Sequence, residues 1–435
     1  MRGRQAGSMP DDDSYWPDAF AADLLAWAER ISVEDSDPVT LIDMCRRAAE
    51  EMTVDVAARP RQAHSEFAGQ ITAFEARLEA RWGRGLDLAD LVVDKAFEFG
   101  KWANDCLRVL GTAGVSDQFE ALIRLHGKAV MTAREVMVLL RSGYSSGALA
   151  RWRTLHEVWV VFLVLADGDE ELSRRYLAHE NIENFRGQED YEGTWEALGF
   201  EPPDWTAEER EEIRAELENE FGSEFRKNYG WAAPVFDGKS PTFTSLQECV
   251  ELDHWRGFCR MASHGTHATP KGTTWNIRSP EPAEVVWAGP SDSGLVDPAQ
   301  CTLIAINGIS AGLLAYALGE LAESEQDTFA DQITALIQQQ SIPMLMGQAN
   351  EELAEVHEQQ EAEHNEISDL IEKALTILQS GTPMTAEDLA AELGVESEEL
   401  EDALATAIAR GELRHESLYR VETDAAASRN GATVT

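Results

Sequence analysis

Residues 117–168 read DQFEALIRLHGKAVMTAREVMVLLRSGYSSGALARWRTLHEVWVVFLVLADG. In the first half, Leu122, Leu125, Ala129, Ala133, Val136 and Leu140 recur at the 3.6-residue period, which predicts a helix with one apolar face opened by Asp117. Gly143-Tyr144-Ser145-Ser146-Gly147 then reads as a short turn with a serine available as N-cap. The second half, about 147–167, is apolar on nearly all sides after Glu157, so it predicts a central, buried helix that ends at Gly168. A one-sided helix turning into an all-sided one is the pattern of a helical bundle.

The same period extends outward. Stripes at 15–32, 39–56 and 64–82 form an N-terminal helical region, and Asp169–Gly187 predicts one further helix. Residues 188–245 are acidic and read as an exposed insertion, broken at Glu201-Pro202-Pro203-Asp204 and carrying a charged helix from Ala207 to Phe221. A helix from about Leu246 to His267 follows, then a proline- and glycine-rich loop over 268–296. Asp297-Pro298 predicts the start of a second buried helix, 298–322. Linker helices cover 324–378. Leu353, Val356, Ile367, Leu370, Ala374 and Ile377 fit a heptad there, but Gln360 and Glu363 interrupt it, so a long coiled coil is not expected.

At the C-terminal end, Thr385 with Asp388 caps one helix, Gly394 ends it, and Ser397 caps a second through Arg410. Leu413–His415 and Leu418–Val421 could pair as a small wing, giving a winged-helix-like module over 379–423. The fold class is therefore all-α: a multi-helix bundle core, 116–323, with a small C-terminal winged-helix-like domain. Residues 1–14 and 424–435 read as disordered.

Charge sets limits on partners. The 435 residues carry 79 acidic and 36 basic side chains, a net charge of -43, which opposes nucleic acid or acidic membrane over the surface as a whole. The basic side chains are 29 Arg and 7 Lys, which points to a GC-rich or salt-adapted prokaryotic source. Five cysteines, widely spaced and without a C-x-x-C, fit a reducing cytoplasm better than a disulfide framework. Met1–Asp13 lacks the apolar segment of a signal peptide, and Val158–Ala166 is too short to span a bilayer. Cys301–Leu318, interrupted by Asn307 and Ser310, reads as a buried helix. The expectation is a cytoplasmic protein without membrane contact. In the C-terminal module Glu398, Glu399, Glu401 and Asp402 face the solvent on the second helix, so a protein partner is expected there rather than DNA.

Three segments depart from the acidic rule, the shortest being Arg174-Arg175-Tyr176-Leu177-Ala178-His179, just after the second apolar helix. Residues 121–156 hold Arg124, Lys128, Arg134, Arg141, Arg151 and Arg153 with one acid, Glu135, and residues 254–272 hold Arg256, Arg260, Lys271 and three histidines with none. Retained arginine amid lost acid suggests convergence on an anion. On the helix ending at His267, Leu252, Trp255, Cys259 and Ala262 form a core stripe, while Arg256, Arg260, Ser263, His264 and His267 share another face. Arg153 and Glu157 stand at i, i+4 and can pair, either as a structural ion pair or around a reacting group. Arg175, Tyr176 and His179 complete the set if these helices are neighbours.

The stretch Ser145–Glu157 resembles the hallmark of a bacterial family of unknown function, number 5677, and Arg174–His179 and Arg260–His267 are similar to its other motifs. The resemblance covers roughly 120–320, implies an all-helical fold without an assigned activity, and singles out Arg153, Glu157, Arg175, His179, Ser263 and His267. The spacing of Arg260 and His267 also resembles the R-x(4–6)-H signature of the HEPN superfamily of helical nucleases, although Met261 stands where a polar residue is usual. That resemblance implies metal-independent RNA cleavage, with His267 moving protons and Arg260 stabilising phosphate charge.

Two readings follow. In one, the protein is a binding or scaffold protein, set in bacterial stress or phage defence, whose Arg/His pocket takes a small anion, a nucleotide or an RNA phosphate. In the other it is a HEPN-like endoribonuclease acting as a toxin or antiviral effector, with a homodimer completing the site. No cofactor or metal is called for, although His264 and His267 are spaced as a metal pair that Glu157 or His179 could complete, and His267 could equally be a helix cap.

Overall fold

The computed structural model describes residues 38–110, 116–201, 206–274, 289–324, 326, 328–379 and 385–409. Fourteen α-helices are found among them and no strand: α1 Pro38–Ala58, α2 Pro60–Leu110, α3 Asp117–Arg141, α4 Ser145–Ala166, α5 Glu170–Ala178, α6 Glu180–Glu192, α7 Ala207–Phe221, α8 Phe243–Cys249, α9 Arg256–Thr266, α10 Pro270–Thr274, α11 Val296–Glu323, α12 Phe329–Gln379, α13 Ala386–Leu393 and α14 Ser397–Ala409. The all-α expectation holds. The chain forms two compact units, one of residues 81–277 with 287–362, the other of 1–80, 278–286 and 363–435.

The larger unit is built around α4, which packs against α3, α8, α9 and α11. Its Trp152, Leu155, Val160, Phe162 and Leu165 are fully buried, as the all-sided apolar pattern requires. Helix α11 comes close to α4 because two of its residues lack a Cβ. One built at Gly308 would lie 2.5 Å from the Trp159 ring, and one at Gly312 would lie 2.7 Å from Phe162. The glycines that interrupt the apolar 301–318 run are thus contact points. Helix α11 is also the one described helix long and apolar enough by composition to cross a membrane, and 56% of that window is buried inside the protein.

Several boundaries fall elsewhere than the pattern suggested. Helix α2 contributes Trp82, Leu86, Val92, Val93 and Phe99 to the buried core of this unit, and Gly85 lets Leu353 of α12 approach to 2.9 Å of a built Cβ. Core packing thus extends on both sides of 116–323. Helix α3 is capped by Ser116, whose hydroxyl accepts from the Phe119 N–H at 3.0 Å. Tyr144, not a serine, precedes α4, and it gives no side-chain cap. The helix expected over 169–187 divides at His179, which closes α5 and opens α6. The helix expected from 246 to 267 breaks at Glu251, whose φ is 57°. The acidic 188–245 segment is exposed along much of α7, but beyond it Phe225, Trp231, Ala232 and Ala233 are buried. Its Phe and Trp residues, rather than its charges, decide its place.

In the second unit, Leu389, Ala390, Leu400 and Leu404 of α13 and α14 pack on Ala374 of α12. Thr385 and Asp388 form the expected capping box, and Gly394 ends α13 at φ 75°. The two wing strands, at 413–415 and 418–421, and the 424–435 tail lie outside the described residues, as do 1–14.

Candidate functional site

Most of the arginine excess in 121–156 is neutralised by acids from elsewhere in the chain. Arg134 pairs with Asp94, Arg141 with Asp87 and Asp90, Arg124 with Glu120, and Arg151 with Glu135. Asp87, Asp90 and Asp94 form one stripe of α2, so the depletion of acid on α3 is matched by a row of acid on its neighbour. Burial holds the Asp90 carboxyl above its ordinary range despite Arg141.

The residues singled out by sequence lie in three places. Arg175, Tyr176 and His179, on α5, face the 221–231 segment. The Arg175 guanidinium, buried between the rings of Phe221 and Phe225, donates to the carbonyls of Phe221 at 3.0 Å, Trp231 at 3.0 Å and Gly230 at 3.2 Å. Burial lowers its pKa. The His179 Nε2 lies 3.0 Å from the Lys227 carbonyl, with its ring edge-on to Phe225. Tyr176 meets Trp231 edge-on, and burial pushes its phenol up to about 12. Tyr176 and His179 also line, with Arg124, Lys128, Glu180 and Glu183, a cavity of about 360 Å3. Chemically, though, Arg175 and His179 are a clamp on backbone carbonyls.

What the clamp holds is Tyr229, a non-glycine residue at φ 56°. Its hydroxyl donates to Glu157 Oε1 of α4 at 2.7 Å. Burial, then the bond to Glu157, raise the phenol pKa far above its ordinary value, while Arg153 works against the shift. The Arg153–Glu157 ion pair offered by the i, i+4 spacing is not formed among the described residues; the carboxylate accepts from tyrosine. Arg153 is left half-buried, with neither a hydrogen bond nor an ion pair among the described residues. It lies near enough to Cys259 to oppose the burial that pushes that thiol up to about 11.

The third place is α9. Leu252 and Ala262 are buried and Trp255 and Cys259 half-buried, as the core stripe requires, whereas Arg260 and His267 are exposed. Ser263 Oγ donates to the Cys259 carbonyl at 2.7 Å, and His264 Nδ1 lies 3.3 Å from Thr269 Oγ1. His267 is the C-cap residue. Helix α9 runs antiparallel to α4. Trp255 stacks near Trp152, His156 and Trp159, while a Cβ at Gly265 would lie 3.1 Å from the Ser146 carbonyl. His267 therefore sits level with the start of α4, roughly 10 Å along the axis from Arg153 at about 1.5 Å per residue. The structure brings Arg153, Glu157 and Cys259 together; Arg260 follows Cys259 in the chain with its side chain exposed, and His267 lies further along α9.

In the larger unit every other described arginine has a carboxylate, amide or carbonyl partner; Arg153 and Arg260 have none among the described residues. Below them, fully buried His156 lies 2.9 Å from Gln247 Nε2, among Trp152, Trp159, Trp255 and Phe243. Its Nδ1 has no partner among the described residues, and burial lowers its pKa to about 4. Tyr229 and Gln247 were not anticipated from sequence. The signal that could have found Tyr229 is the run Asn228-Tyr229-Gly230-Trp231, a glycine-marked interruption of an acidic segment. No group of three or more metal-ligating side chains is found among the described residues.

This geometry can be set against known proteins. Residues 119–283 match the family of unknown function DUF5677. The match runs from α3 past α9, so it takes in all three motif stretches and ends short of α11. No curated protein and no solved structure matches the chain.

Proposed function

We propose that the protein is a binding protein that takes a small anion, including the phosphate of a nucleotide or RNA, at Arg153 and Arg260. The carrying observation is that these two guanidiniums find no partner among the described residues, in a unit whose other described arginines are all satisfied. For half-buried Arg153 the lack of an acceptor is costly, and an incoming anion relieves that cost, with exposed Arg260 able to add a second contact. Glu157 accepts from the Tyr229 hydroxyl instead of pairing with Arg153 among the described residues, which leaves Arg153 available to an anion. The acidic outer face of α14, with Glu398, Glu399 and Glu401 exposed, supports a basic protein partner for the C-terminal module rather than DNA.

Calorimetric titration with phosphate, pyrophosphate, AMP and a short RNA tests the reading. Wild type is expected to bind at least one of them, and Arg153→Gln and Arg260→Gln each to weaken that binding at least tenfold. Absence of binding to all four probes, or variants that bind as wild type does, would remove it. A second reading, the HEPN-like ribonuclease, draws on the exposure of both Arg260 and His267 on α9. Under it, RNA is cleaved in the presence of chelator and His267→Ala abolishes the cleavage.

A further inference from the structure

The long uncharged stretches of this chain contrast in place. Residues 298–319 form most of α11, which contributes Ile306, Ile309 and Leu313, all fully buried, to the core. Residues 332–350 of α12 are also without a charged side chain, yet much of that stretch lies on the outside. Its exposed positions are Ile333, Leu336, Ile337, Gln340, Met344, Gly347 and Gln348, one continuous helix face at i, i+3/4, i+7, i+11 and i+14/15. On it Ile333 is 42% exposed, Leu336 38%, Ile337 66% and Met344 71%. Single exposed apolar residues need no explanation, but a contiguous stripe marks an interaction surface.

We infer that this face of α12 is where a second copy of the chain docks, as an antiparallel two-fold pair centred on Gln340. Charge favours this occupant. With a net charge of -43, two copies repel over most of their surfaces, and an acid-free face is where they can approach. Shape favours the antiparallel order. Centring on Gln340 sets Ile333 against Gly347, beside which a Cβ would meet nothing within 4 Å, and Leu336 against Met344. The two Gln340 amides then face each other across the axis. A parallel pair would instead set glycine on glycine and align the helix dipoles unfavourably. The side chains available cover on the order of 1,000 Å2 across both copies, the low end for a specific pair. The association is therefore concentration-dependent. It is independent of the anion-binding reading.

The test is sedimentation of the full chain across a range of concentrations, at low and at high salt. Wild type is expected to move from one-chain to two-chain mass, more readily at high salt, where the repulsion between acidic surfaces is screened. Ile337→Glu and Met344→Glu, both at exposed positions, should each weaken self-association at least tenfold with unchanged helix content and unchanged anion binding. Gln340→Cys should form a symmetric intermolecular disulfide above the wild-type background from the free cysteines. A wild type of one-chain mass throughout overturns the inference. So does a dimer that both glutamate variants leave intact, or one that Gln340→Cys fails to cross-link. Binding of monomers to neutral phosphatidylcholine vesicles through this face would replace it with a lipid surface.

Discussion

Arg153 and Arg175 look alike in the sequence, each an arginine four residues before a polar partner on an adjoining turn, Glu157 and His179. In the folded protein they do opposite things. Arg175 is closed: three carbonyls and two aromatic rings account for its guanidinium, and His179 assists by meeting a fourth carbonyl. Arg153 is open: its obvious partner accepts from Tyr229, and no other described residue accepts from the guanidinium. The two are linked, because the segment that Arg175 fastens is the one that carries Tyr229. An arginine motif thus contains both a fixed half and an available half, and the fixed half keeps the other available.

The contrast breaks most sharply at the fixed end. Arg175→Ala leaves three buried carbonyls without a donor and should destabilise the larger unit by about 3–5 kcal/mol, read as a fall in the urea midpoint. Arg153→Gln should change stability by less than about 1 kcal/mol in the same assay, since no bond is lost. If the two variants lose equal stability, the distinction between closed and open arginines is wrong.

The histidines sharpen the same comparison. Burial lowers the pKa of both His126 and His156 to about 4, so each is neutral in the folded state and takes up a proton on unfolding below the ordinary 6.5. The stability that their neutral forms contribute is present above pH 6.5 and is lost as the pH falls towards about 4. The loss is on the order of 3 kcal/mol for each residue, less whatever the unfolded ensemble retains. Urea unfolding at pH 7 and pH 5 measures it. His156→Gln should flatten that dependence.

The smallest effect is expected at Tyr229. Tyr229→Phe removes one hydrogen bond to a carboxylate, about 1.5–3 kcal/mol at most. It also frees Glu157 to close on Arg153, so anion binding should fall although no anion-contacting side chain has been changed. Binding equal to wild type would show that Glu157 is not the competitor.

Much of the bundle was legible because its signals are local. The period of Leu122 to Leu140, the all-sided apolar run of α4, and the Thr385–Asp388 capping box each specify structure within a few residues. The stretch from Ser145 to His267 also carried the resemblance that the family match bears out, over 119–283 rather than 120–320. What was not legible depends on groups far apart in the chain. The acids that neutralise Arg134 and Arg141 are on α2, some forty to fifty residues earlier. The carbonyls that engage Arg175 are about as far downstream. Charge counted along a sequence cannot show charge balanced across a helix pair. The break at His179 is likewise not visible in the local pattern; in the fold its ring meets the Lys227 carbonyl and Phe225, both more than forty residues away.

Position 229 also offers a way to sort related chains. A left-handed backbone at a bulky residue costs about 1–2 kcal/mol, which glycine would avoid. A chain that keeps tyrosine there tolerates strain for the sake of its hydroxyl, whereas one with glycine has relaxed the turn and given up the restraint on the carboxylate. Reading that one letter across the family should separate members with an accessible guanidinium from those in which it has been silenced.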